Sequence, residues 1–353
     1  MLNVSTILKY PMLTILSTGK KSFENLGRFI NKSGDTISRM LQPASASFNQ
    51  AQKISTSLFK DKKKLFCIID DTLIKKIYSR LMQGSGMFFD TKIGRRITAF
   101  RLILCMVSDG KFSIPIDCGY LFAKELVDLI DCNFLNKEDF TKIFVEKAIS
   151  LFPRSKIIFL ADGLYATVKL LTWCKAKNIP AEMRMHSNRI IEFRGKKISL
   201  KGLLEIRGMR PKGRQMARTI TAKWHGMELE ITIVRRVDKH GDESIVFQVA
   251  TYKASPSEHV RNYKNRWPIE KTIRTSKQYL GLQECFSRKL EKQHDHVAAV
   301  FLAYALAQCD MKKYKFNTPE EAIKRLKEKI VLPKPERLAR VDRIFQQFSI
   351  PYA

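Results

Sequence analysis

Leu65-Phe66-Cys67-Ile68-Ile69-Asp70-Asp71-Thr72 is an apolar run that ends on two carboxylates. Consecutive apolar residues bounded by charge read as a strand buried on both faces. The basic stretch Lys60-Asp61-Lys62-Lys63-Lys64 leads into it. Adjacent aspartates at the end of a core strand are costly unless they are solvated, paired or bound to a metal ion. The same ending recurs in Lys156-Ile157-Ile158-Phe159-Leu160-Ala161-Asp162-Gly163. A lone strand-end aspartate is ordinarily a turn residue, whereas two core strands with this ending suggest a site.

Working outward, residues 97–108 and 112–122 read as two further strands. Asp109-Gly110 between them is a hairpin turn signal. Residues 136–151 form an amphipathic helix through Phe140, Ile143, Phe144, Ala148 and Leu151, stopped by Pro153. A helix near 164–177 follows the Asp162 strand, and another strand runs from Ala181 to Met185. The order is three strands, helix, strand, helix, with aspartates ending the first and fourth strands.

Further on stands Tyr263-Lys264-Asn265-Arg266-Trp267-Pro268-Ile269-Glu270, and then Lys277-Gln278-Tyr279-Leu280-Gly281-Leu282. Tyr263, Arg266, Glu270 and Lys277 would fall within roughly a 60° sector of a continuous helix. Such a set also suits a solvated charged face. Pro268 either kinks that helix or starts a fresh one, with Glu270 in its first turn answering the helix dipole. The capping signal Ser255-Pro256-Ser257-Glu258 starts the helix that leads into Tyr263.

Tyr-x2-Arg-x3-Glu-x6-Lys, matched at Tyr263, Arg266, Glu270 and Lys277, resembles the signature of a large family of bacterial DDE transposases. Arg-Trp-Pro-Ile-Glu and Lys-Gln-x-Leu-Gly-Leu are similar to those enzymes as well. The resemblance extends from about residue 60 to about 310. It implies an α/β, ribonuclease H-like mixed sheet flanked by helices, in which the two aspartate-bearing strands lie side by side. It places the acids at Asp70 or Asp71, at Asp162 and at Glu270. The family pattern Asp-x-Thr/Ser favours Asp70, with Thr72; a register shift of one would choose Asp71 on the other face. The implied reaction is two-metal cleavage of DNA at element ends and strand transfer into target DNA. Mg²⁺ would be the cofactor, with Mn²⁺ able to substitute, and Asp70, Asp162 and Glu270 the ligands. Tyr263, Arg266 and Lys277 would hold DNA phosphates near the cut. Relatives act as dimers on paired ends, which implies a homodimer on double-stranded DNA. Two rivals stay open, a stand-alone ribonuclease H-like nuclease or resolvase and a catalytically silent DNA-binding descendant.

From Asp162 to Glu270 the chain is too long for the simple fold. The excess alternates like strands through Ile191–Phe193, Ile198–Leu200, Thr219–Ala222, Met227–Val234 and Ser244–Tyr252. The related transposases carry a β-rich insertion here, which sets its bounds at about 186–254. Its basic turn, with Arg210 and Arg214, reads as a phosphate-gripping loop or as a solvated hairpin. Trp224 reads as a core residue or as a platform for an extruded base.

Residues 1–60 read as a small helical unit. Phe23 to Ile30 is helical, Asn31-Lys32-Ser33-Gly34 is a turn, and Asp35 can cap a second helix. Helix, glycine turn, helix suggests a helix-turn-helix DNA-binding domain, though any helical hairpin reads alike. Residues 61–310 would then be the catalytic domain and 311–353 a helical tail, with a short last helix near 336–347 suited to dimerisation. His294 and His296 flank Asp295 without metal-ligand spacing, which suggests a helix-end role.

Composition supports the same partner. Lys and Arg number 64 against 34 acids, a formal charge of +30 over 353 residues, and 44% of residues are hydrophobic. Self-repulsion of that size suggests a polyanion partner. Seven cysteines without a Cys-x-x-Cys pair argue for a reducing compartment and against a zinc site. No apolar run reaches membrane-span length and no secretory signal is apparent. The expectation is a cytoplasmic, nucleoid-associated protein with no membrane contact and no small-molecule cofactor.

Overall fold

Leu65 to Ile69 are all buried, and the strand they begin, β1, runs Leu65–Lys75. The computed structural model describes residues 4–77, 79, 82–122, 134–238, 240–328 and 343. The chain divides into two compact units, and the division falls inside β1. Lys63–Asp70 and Thr141–Trp267 make a strand-rich unit; Met1–Lys62, Asp71–Phe140 and Pro268–Ala353 make a helical unit.

In the strand-rich unit, β5 (Ile157–Ala161) pairs parallel with the first half of β1, and β6 (Ala181–Met185) pairs parallel with β5. Parallel neighbours need a crossover, and helix α6 (Val168–Ala176) supplies it between β5 and β6. Thr167 caps α6, its hydroxyl accepting from the Leu170 amide. Beyond β6 the order continues antiparallel through β11 (Glu243–Ala250), β10 (Met227–Val237) and β9 (Ala217–Trp224), then β7 (Ile190–Phe193) and β8 (Lys196–Ser199). These five strands occupy the stretch read as the β-rich insertion. Two tight turns close hairpins within it, Arg194-Gly195 and His225-Gly226. All four residues have positive φ, as a type I′ hairpin turn requires.

In the helical unit, β2 (Gly86–Asp90), β3 (Arg95–Ser108) and β4 (Ser113–Leu121) are antiparallel, and β3 neighbours β1. The Asp109-Gly110 turn forms as expected. Asp109 Oδ1 accepts from the Lys111 and Phe112 amides at 2.9 and 2.8 Å, and Gly110 takes φ +92°. Helices α1 (Val4–Leu16), α2 (Phe23–Ile30), α3 (Gly34–Met40) and α4 (Ala44–Phe59) precede the strands, and α5 (Lys137–Leu151), which follows β4, begins in this unit and belongs to the strand-rich unit from Thr141 on. The long helix α9 (Leu290–Tyr314) is buried through most of its middle and packs on α4 and β4. The strands and helices make a mixed α/β fold consistent with the ribonuclease H-like class.

The structure corrects several local expectations. Ser33, not Asp35, caps α3, because its hydroxyl accepts from the Thr36 amide at 3.2 Å. Helix α1 forms through Pro11, within the stretch read as a helical unit. Helix α4 was not anticipated: its apolar positions are interleaved with Ser and Gln, several of them buried. Asp295 accepts from the Ala44 amide at 2.9 Å, so it caps the start of α4 rather than an end of its own helix. His296 is fully buried between Tyr10 Oη (2.6 Å) and the Gly281 carbonyl (2.9 Å), and burial lowers its pKa to about 4. The short helix expected near 336–347 lies almost wholly outside the described residues.

Candidate active site

The two strand-end aspartates are related by register. β1 and β5 pair Leu65 with Ile157 and Ile68 with Leu160, a constant offset of 92 residues. Continued two residues beyond Ile68 and Leu160, that offset sets Asp70 level with Asp162. Neighbouring strand residues point to opposite faces, so only one of the two adjacent aspartates shares a face with Asp162.

In the strand-rich unit, Asp70 Oδ2 lies 3.1 Å from Arg266 Nη1, both side chains being about one-sixth exposed. Asp162 is half-buried, and its Oδ1 accepts from the Leu164 amide at 2.8 Å. Tyr263 is buried, which raises its hydroxyl pKa. Arg266, hydrogen-bonded to that hydroxyl, works against the rise, and the negative charge of Asp162 adds to it. Asp70, Asp162, Tyr263 and Arg266 therefore form one electrostatic group.

Helix α7 (Pro256–Lys264) carries Tyr263 and begins as expected. Ser255 is its N-cap, accepting from the Glu258 amide at 3.2 Å, and Pro256 is at its start. The helix then stops in a tight turn. The amides of Asn265, Arg266 and Trp267 each reach back three residues, to Asn262, Tyr263 and Lys264. A new helix, α8 (Pro268–Tyr279), begins at the proline. Of the two sequence alternatives for Pro268, the fresh start is realised, and a continuous 60° face is not. Tyr263 and Arg266 belong to α7 and its turn; Glu270 and Lys277 belong to α8.

What seats α7 is a buried network that sequence reading did not detect. Glu182, on β6, is 1% exposed. Its Oε1 faces His259 Nδ1 at 2.8 Å, accepts from Asn262 Nδ2 at 3.3 Å and accepts the Tyr252 hydroxyl. Asn262 also donates to Tyr252 Oη at 2.8 Å. His259 lies one helical turn before Tyr263, so the network fixes the face of α7 that carries it. A glutamate amid Met and Ala in a predicted core strand was the available signal.

The helical unit holds the other three. Asp71 is paired twice, with Lys137 at 2.5 Å and Arg101 at 3.1 Å, and its side chain is 13% exposed. Glu270 is half-buried in the first turn of α8. Lys277 Nζ donates to Thr72 Oγ1 at 2.8 Å and to the Leu73 carbonyl at 2.9 Å. Burial lowers its pKa to about 8, with repulsion from Lys75 and Lys92 adding to the shift. Among the described residues, no group of three or more His, Cys, Asp or Glu side chains is arranged to hold a metal ion.

Within the insertion, Arg210 lines a groove of about 700 Å³ with Arg207, Lys212, Arg218 and Arg235, and Arg214 is exposed beside it. Glu205 and Glu243 share that groove, and Arg235 pairs with Glu243. Trp224 is 3% exposed at the end of β9, with the Arg189 guanidinium 5.8 Å from its ring centroid. That is a core position, with one edge on a groove of about 630 Å³.

Residues 138–306 match the family described as "Transposase DDE domain". The match takes in Asp162, Tyr263, Arg266, Glu270 and Lys277 and begins after both Asp70 and Asp71. No curated protein matches the chain. Over residues 138–306 the chain is thus similar to the transposase DDE domain, and its mixed α/β sheet is consistent with a ribonuclease H-like fold.

Proposed function

We propose that this protein cuts DNA at the ends of a mobile element and joins those ends to target DNA. Asp70, Asp162 and Glu270 would be the acidic residues. The observation that carries the reading is the constant register of the parallel strands β1 and β5, which, continued two residues beyond Ile68 and Leu160, sets Asp70 level with Asp162, in a chain similar over residues 138–306 to a transposase DDE domain.

Oxygen donors suit a hard divalent cation such as Mg²⁺, with Mn²⁺ as a substitute. Asp70 and Asp162 fit that chemistry, and Glu270 would complete the set. Bound there, such ions would make a water or a 3′-hydroxyl a stronger nucleophile and stabilise the leaving oxygen. Asp71 suits the role less well, because Arg101 and Lys137 already neutralise it. Arg266 currently balances Asp70, and its planar fork also matches a phosphate in two hydrogen bonds. Lys277 would act on the phosphate as a point charge and Tyr263 as a hydroxyl donor. Arg210 and Arg214 would hold duplex DNA along the insertion. The protein would work as a homodimer on paired ends, in the compartment that holds the DNA.

The test is cleavage of a supercoiled plasmid bearing the gene's own flanking ends, with Mg²⁺ or Mn²⁺. Asp70→Ala, Asp162→Ala and Glu270→Ala should each abolish metal-dependent cutting and keep DNA binding. Asp71→Ala should still cut. Acid variants that cut like the parent would overturn the assignment. A parent that binds the ends but never cuts would move the silent DNA-binding reading to first place.

A further inference from the structure

The hairpin of β2 and β3 lies outside every role given above. Its register pairs Met87 with Thr98, Phe89 with Arg96 and Asp90 with Arg95. Directly paired residues share a face, so the hairpin has two unlike sides. One side packs inward through Ile97 and Ala99, which are 3% and 0% exposed. The other carries Met87 and Phe89, 60% and 59% exposed, beside the exposed Arg96. β2 is also the last strand of its sheet on this side.

The tip between the strands is built rather than loose. Asp90 is buried and accepts from the Lys92 and Ile93 amides at 2.9 and 3.3 Å, while its other oxygen pairs with Lys75 at 2.5 Å. The Gly94 amide closes the turn on the Asp90 carbonyl at 2.8 Å. Asp90 therefore faces inward, and Lys92, Arg95 and Arg96 are exposed around the apolar Ile93. Repulsion from Lys75 and Lys92 is felt at Lys277, so the hairpin cations belong to the same field as that lysine.

We propose that the β2–β3 hairpin is a second, sequence-independent grip on duplex DNA, continuing the cationic track that begins at Lys277. The proposal rests on the DNA-cutting reading for the identity of the ligand. Duplex DNA carries one negative charge per roughly 1.7 Å of axis, which a row of exposed cations complements. A two-stranded ribbon is also narrow enough to enter a groove, where Met87 and Phe89 would meet sugars and base edges. Pairing β2 with the same strand of a second copy would satisfy the edge, but it would bring like charges together.

The test is binding of a random-sequence duplex by the full chain without divalent metal, measured by anisotropy across a salt series. The Lys92→Ala/Arg96→Ala double variant should bind on the order of tenfold more weakly at physiological salt. It should also lower the slope of log affinity against log salt by about two, near one per lost phosphate contact. Phe89→Ala should weaken binding without changing the slope. An unchanged slope and affinity in the double variant would overturn the proposal. So would loss of self-association on sedimentation with DNA binding intact, the mark of an edge joining two copies. Because no cutting is read, a parent that fails to cleave plasmid would sink the cutting reading and leave this result interpretable.

Discussion

The two helices that carry the signature residues are held by opposite chemistry. Helix α7 is seated by an acid: the Glu182 carboxylate, buried in β6, gathers His259, Asn262 and Tyr252 around it. Helix α8 and the loop after it are held by cations on carbonyls. Lys277 donates to Leu73, and Lys76 donates to Gln283 and Cys285 at 2.9 and 2.5 Å. Lys21 reaches Ser17 through its ammonium while its own amide meets Glu284. The carboxylate network draws several donors onto one centre. The lysines hold their amino groups in dry surroundings, which disfavours the charged form and lowers Lys21 to about 7 and Lys76 to about 8, burial being the main cause in each. Anchoring by a shared acceptor gives stiffness; anchoring by buried ammonium groups gives dependence on pH.

The largest expected effect is on the α7 side. Glu182→Ala removes the buried centre of this network, and breaking such a group by taking one partner costs about 3–5 kcal/mol. Denaturant unfolding would measure it, and a loss below about 1 kcal/mol would mean the network does not anchor the helix.

The second expectation breaks the comparison by pH. Lys21 and Lys76 have folded pKa values near 7 and 8, against about 10.4 in an unfolded chain. Between those values the unfolded chain holds more protons, so stability should rise with pH from about 7 to about 10. The penalty for burying charge is present in full below that window. Lys76→Met should flatten the rise, while Glu182→Ala should lower the whole curve and keep its shape. A parental curve that falls across this window would refute the account.

The smallest effect sharpens the α7 side alone. Ser255→Ala removes the side-chain cap, worth about 1 kcal/mol. It should not alter the pH dependence, and thermal unfolding at pH 7 and pH 9 would show equal losses.

Much of the architecture was legible because it rests on local signals. The runs before Asp70 and Asp162, the Asp109-Gly110 turn, the strand Ala181–Met185 and the Ser255 cap each depend on neighbours in sequence. The insertion strands were legible by alternation. Helix α4 was not, because Ser47, Gln50 and Ser55 are buried by tertiary packing that no local pattern reports. The site divides the same way. The acids stood out by type and spacing, but whether Pro268 bends a helix or begins one depends on the turn at Asn265–Trp267. The partners of Asp71 lie 30 and 66 residues away in sequence, at Arg101 and Lys137, so its neutralisation could not be read from its neighbours. The Glu182 network joins residues 70 to 80 apart.

The burial pattern of β1 has one more consequence. Leu65 to Ile69 are buried on both faces, so alternation of apolar and polar residues cannot choose the strand's register. The carboxylates can, because sliding the strand inward by one step would bury Asp70 among apolar side chains. The acids therefore act as a register stop. Asp70→Leu would remove that stop and leave Arg266 without its carboxylate, and the strand could slip until Asp71 took the vacated level. Such a chain would populate mixed registers before it unfolded, and loss of a unique native pairing would be its first defect.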